Sequence, residues 1–134
     1  MIQPFVDAFI DAKPTLRSQW LEKEPENYAA IVRAVIECIN PEDDYELPNP
    51  NCIHCITTGQ WQGAMLFVIT TDTTHPDRYW AIHINYGSCS NCDTICAIKE
   101  KTDWGEQPTP EQVTEYLILA LHIAQSIVLI PLEV

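Results

Sequence analysis

The apolar pattern of this chain changes period once, and that change bounds the fold more tightly than any other feature. In "PENYAAIVRAVIECIN" the residues Tyr28, Ile31, Val32, Val35, Ile36 and Ile39 recur at helical spacing, and Asn40-Pro41 supplies a stop. In "RYWAIHINY" the period is two. Trp80, Ile82, Ile84 and Tyr86 fall on one face, and Tyr79, Ala81, His83 and Asn85 on the other. A helical layer followed by half-buried strands predicts an α+β fold.

The remaining segments extend that reading. "QPFVDAFIDA" places Phe5, Phe9 and Ile10 on a first helix that Pro14 interrupts, and "TLRSQWLEK" gives a short second piece with Leu16, Trp20 and Leu21. Pro25 is expected in the first turn of the next helix, and Cys38 within it as a small core residue. "PEDDYELPNPN" reads as an acidic loop. "CIHCITT", "GAMLFVITT" and "RYWAIHINY" then form a three-stranded antiparallel meander, with short connections around Gly59 and at "DTTHPD", and a Cys-x-x-Cys motif loop follows. Thr109-Pro110-Glu111-Gln112 starts the last helix with a capping box. That helix is predicted to run to about Ile130, to stop at Pro131, and to lie buried between the sheet and the N-terminal helices. The 134 residues suffice for one domain, 1–134, with a sizeable core.

Neither a secretory signal nor a membrane span is expected. The opening "MIQPFVDAFIDAK" lacks a basic n-region, and the apolar run "YLILALHIAQSIVLI" has 15 residues where about 20 are needed. The chain is therefore expected in the cytoplasm, where its 6 cysteines need not pair.

Charge then separates the function classes. The 19 acids oppose 7 bases, for a net charge of −12. No Lys or Arg occurs between Ala34 and Asp77, a stretch that holds Glu37, Glu42, Asp43, Asp44, Glu46, Asp72 and Asp77. Such a surface repels nucleic acid and favours a basic protein partner, through steering and charge complementarity. Solubility alone is the plain alternative.

The segment "INYGSCSNCDTICAI" holds Cys89 and Cys92 in a Cys-x-x-Cys spacing and admits three readings. With Cys52 and Cys55 it resembles a four-thiolate zinc site. Yet on a strand Cys52 and Cys55 point to opposite faces, and the first strand's start lies about 20 Å from the third strand's end. A redox dithiol at Cys89 and Cys92 has a strand before it and a helix after it, but Asp93 and the neighbouring acids oppose thiolate formation. In the third reading the segment is a shaped turn: Gly87 supplies backbone freedom, Ser88 and Ser90 satisfy loop amides, and Asp93 caps the next turn. Among the histidines, His122 reads as a satisfied core residue, His75 as an exposed loop residue, and His83, near the motif loop, as the best site candidate. No phosphate loop, nucleophile elbow or HExxH pattern occurs.

"WQGAMLFVI", "YWAIHINYGSCSNCDTICAI" and "PTPEQVTEYLILALHIAQSI" resemble blocks of a family of small uncharacterised bacterial, prophage and phage proteins. Its pattern is a Y-Q-G strand, a Y-G-S-C-S-G-C-D motif and a closing L-A-L-H-I-x-Q helix. The resemblance covers about Trp20 to Ile127. Trp61 stands for the family's Tyr, Asn91 for its Gly, and Cys52, Cys55 and Cys96 fall outside the pattern. The resemblance implies a mobile-element context, in which small acidic proteins block host machinery.

The resulting expectation is a non-enzymatic binding factor of phage or prophage type that inhibits a basic, nucleic-acid-handling host or defence protein. Asp43, Asp44 and Glu46 in the acidic loop would hold the partner, with Tyr86, Ser88, Cys89, Cys92 and Asp93 forming the motif surface. No metal, cofactor or direct nucleic-acid contact is expected. A zinc-stabilised module (Cys52, Cys55, Cys89, Cys92) and a thiol–disulfide oxidoreductase (Cys89, Cys92) are the alternatives.

Overall fold

The computed structural model describes residues 3–42, 44, 46–58, 63–71, 78–86, 94–99 and 107–130. Among them the chain runs α1 (Gln3–Glu22), α2 (Tyr28–Ile39), β1 (Ile53–Thr58), β2 (Gly63–Thr70), β3 (Tyr79–Tyr86), α3 (Thr94–Lys99), α4 (Pro110–Gln125) and β4 (Val128–Ile130). The strands lie in the order β1-β2-β3-β4, with antiparallel neighbours throughout. The fold is α+β. Alternation in β2 and β3 sends Phe67, Ile69, Trp80, Ile82 and Ile84 to one face, where they join residues of α1, α2 and α4 in a single core.

α2 buries the six residues that the helical period marks: Tyr28, Ile31, Val32, Val35, Ile36 and Ile39. Asn27 caps it by accepting the Ala30 N–H at 2.9 Å, so Pro25 precedes the helix instead of opening it. At α4 the capping box is present: Thr109 and Gln112 exchange bonds of 2.9 and 3.2 Å. Gln112, 1% exposed, also donates to the Ile98 carbonyl at 2.9 Å and so fastens α3 to α4. Tyr116, fully buried, donates to Glu24 at 2.7 Å and sets its ring edge against Trp20. Burial, and after it the bond to Glu24, holds this phenol well above its ordinary pKa.

Three further expectations are corrected. Pro14 does not interrupt α1, which runs unbroken through it. The carbonyl that proline leaves without a partner belongs to Ile10, which is 51% exposed, so water can solvate it. Val6, Phe9, Leu16 and Trp20 are buried on both sides of the proline. At about 1.5–3 kcal/mol for each large apolar side chain, their burial outweighs the proline's cost of about 3 kcal/mol.

α4 ends at Gln125 and not near Ile130. Ser126 closes it through bonds to the Ile123 carbonyl, Ile127 is buried, and Val128–Ile130 pairs with Ala81–Tyr79 as a fourth strand. The sheet therefore has four strands where three were expected, because β4 satisfies a stretch of β3 backbone that would otherwise be an open edge.

The third correction concerns His122, which is exposed. It shares the solvent side of α4 with Ile118, 49% exposed, so this helix is covered on one side and not all round. No helix among the described residues is long and apolar enough to cross a membrane.

Candidate functional site

α1 and α2 form a helical hairpin, and small residues on its facing stripes leave a cleft between them. Ala8, Ala12, Leu16, Ala34 and Cys38 form its floor, with a volume of about 530 Å³. That lies within the range of about 300–1,000 Å³ typical of clefts that take a ligand or anchoring side chains. Asp11 lines one wall and Glu37 the other. Asp7 lies one helical turn before Asp11, and both are exposed. Burial, with the Glu37 carboxylate beside it, pushes the Cys38 thiol up to about 11. Cys38 is thus a weak nucleophile on the cleft floor. At pH 8 it is expected to alkylate at least about tenfold more slowly than exposed Cys55, which peptide mapping after an iodoacetamide time course would read. Equal rates would mean that the floor is open to reagent.

Pro41 closes one end of the cleft and opens the acidic loop. A buried asparagine shapes this loop. Asn40, 3% exposed, donates to the carbonyls of Asp44 (2.9 Å) and Pro48 (3.1 Å) and accepts the Asp44 N–H at 2.7 Å. The Asp44 carboxylate accepts the Glu46 N–H at 2.8 Å, and Arg78 donates to the Glu46 carbonyl at 3.2 Å. Asn49, 1% exposed, bonds through its backbone to Thr70 and Cys52. The loop's backbone is thus held from beneath while Glu42, Asp44 and Glu46 remain exposed. Glu46 also borders a second hollow of about 350 Å³, lined by Phe5, Trp80 and Leu129.

Among the described residues the ion pairs are Lys23–Glu26 at 3.6 Å and Arg33–Glu37 at 3.0 Å, both on exposed helix surface. Arg17 is directed instead to Thr114 and the Pro110 carbonyl. Exposed pairs of this kind contribute about 0.3–0.5 kcal/mol and are readily exchanged for a partner's charges.

Of the residues singled out in the sequence, Asp44 and Glu46 stand in this loop, and Tyr86 ends β3 opposite Gly63. Asp43, Ser88, Cys89, Cys92 and Asp93 lie outside the described residues, as does His75. The loop is tied to Arg78, next to the start of β3, whereas Tyr86 is the last of that strand's 8 residues. The two stand about 23 Å apart along the strand and do not form one patch.

The same register bears on the thiols. Cys52 accepts from Thr70, which pairs with Tyr79, and Cys55 pairs through Phe67 with Ile82. Both lie toward the start of β3. From Tyr86 to Cys89 the chain reaches about 10 Å, so a four-thiolate site would need a loop that doubles back along the strand. His83 and His122 both line a groove of about 240 Å³, together with Asn85 and Ser126. Among the described residues no group of three His, Cys, Asp or Glu is placed to hold a metal ion.

The acidic run stands out in the sequence, whereas Asp11 and the cleft floor do not. The available signal was the pairing of small residues four apart, Ala8 with Ala12 and Ala34 with Cys38, on two consecutive helices. Comparison of the chain with protein-family models, with curated proteins and with solved structures finds no match.

Proposed function

We propose that this chain is a non-enzymatic binding factor of phage or prophage type, acting in the cytoplasm, that captures a basic segment of a host protein. The observation that carries this reading is a cleft with an apolar floor and carboxylates on both walls, continuous with the acidic loop. An amphipathic helix with an apolar stripe flanked by Lys and Arg matches that chemistry on both counts. Proteins that handle nucleic acid present such basic segments, and occupying one would block its normal use.

The test uses a synthetic Leu/Lys amphipathic helix as probe and an otherwise identical Leu/Glu helix as control. Affinity for the basic probe is expected to fall at least about tenfold between about 0.05 and 0.5 M salt, as the Debye length shrinks from more than 10 Å to less than 5 Å. The acidic control should not bind. Capture that ignores salt, or that treats both helices alike, would sink the reading.

A further inference from the structure

The second face of the sheet is unlike the rest of the molecule. All four strands together contain no Asp, Glu, Lys or Arg, in a chain whose net charge is −12. One face of β2 and β3 packs against the helices, and the register defines what the other face of the sheet presents. His54, Val68, Ala81 and Val128 form one row across the sheet, and Ile56, Leu66 and His83 the next. Ile56 is 57% and Val128 58% exposed. Leu66, Val68 and Ala81 are half-buried, and none of these residues belongs to the core cluster.

We propose that this face is where two copies of the chain meet, sheet against sheet, about a two-fold axis. Charge selects the occupant. A second copy brings the same large negative charge, so it can approach closely only through a surface that opposes no carboxylate to carboxylate. Among the described residues this face meets that condition, since its strands carry no carboxylate. A basic partner would gain nothing from it that the acidic helical side does not offer better.

Size sets the strength. Strands of 6, 8, 8 and 3 residues, about 4.8 Å apart, give a footprint on the order of 400 Å². That is smaller than the roughly 800 Å² per partner of a standard interface, which marks the association as weak and reversible. Face-to-face packing leaves both α1–α2 clefts pointing outward. The proposal nevertheless stands apart from the cleft reading, and salt separates the two. Screening weakens capture of a basic probe but strengthens association of two anionic chains.

The experiment is sedimentation velocity on the full chain at about 1–100 µM, in low and high salt. The dimer fraction is expected to rise with concentration and with salt. Ile56→Glu, at an exposed edge position, should weaken association about a hundredfold or more by opposing a buried charge to the partner's face, with an unchanged circular dichroism spectrum. Val68→Glu, in the middle of the sheet, should act in the same way. A monomer at every concentration overturns the proposal, as does a dimer that survives both substitutions. So does a monomer that instead co-sediments with phosphatidylcholine vesicles through this face.

Discussion

Asn40→Ala is expected to lower the free energy of unfolding by about 3 kcal/mol, because a buried side chain that completes three backbone bonds cannot be removed without leaving donors and acceptors unmatched. The three are its bonds to the Asp44 and Pro48 carbonyls and from the Asp44 N–H. Urea denaturation would show a lower midpoint with an unchanged slope, since the surface exposed on unfolding stays the same. Native-state hydrogen exchange would localise the effect, with the Asp44 amide losing protection before the helices do. Asn40→Asp keeps the acceptor for the Asp44 N–H but sets a carboxylate against two carbonyls at a site 3% exposed, so it should cost as much or more. A loss below about 1 kcal/mol for Asn40→Ala would mean that the loop holds its shape without this residue. The same variant bears on function, because a released loop would scatter the Glu42, Asp44 and Glu46 carboxylates.

The second large effect belongs to the cleft. Reversing both walls with Asp11→Lys and Glu37→Lys should weaken binding of the Leu/Lys helix by close to a hundredfold in low salt. Each exposed charge contact is worth up to about 1 kcal/mol, and reversal replaces attraction with repulsion, so two sites amount to about 2.5 kcal/mol. Stability should barely move. Both side chains are exposed, and the Arg33–Glu37 pair that is lost contributes only about 0.3–0.5 kcal/mol. The matched control is Glu26→Lys with Glu111→Lys, the same change in net charge on exposed positions outside the cleft lining. If both doubles weaken the probe equally, the chain attracts it only through its overall charge. A deficit specific to Asp11 and Glu37 locates the contact.

The pairing of Asn40 with the acidic loop shows where reading the sequence runs out. As letters, Asn40-Pro41 is a helix stop, and it is one. What cannot be read from spacing is that the stop residue turns inward and that the carbonyls of Asp44 and Pro48 converge on its amide, since this depends on how the loop packs over the sheet. The cleft was hidden for a related reason. Ala8, Ala12, Ala34 and Cys38 are unremarkable small residues on either helix alone, and they make a hollow only once α1 and α2 lie side by side. Charge composition pointed to an acidic surface but not to Asp11, because a count of acids carries no information about which of them share a wall.

The sequence by itself determined the features that follow from local physics. These are the six buried positions of α2, the two faces of β3 and the capping box at Thr109–Gln112, each set by side-chain period or by bonds between near neighbours. Tertiary structure decided the rest, wherever segments distant in sequence competed to bury apolar surface or to satisfy backbone groups. α1 continues through Pro14 because Phe9 and Leu16 are buried in the same core on either side of it. Residues 128–130 leave the helical pattern because the open edge of β3 offers them partners that a further turn of α4 would not. His122 lies in solvent because the packed elements cover only one side of α4. Period and capping act over about 3–4 residues, whereas these three outcomes were fixed by contacts that exist only in the folded chain.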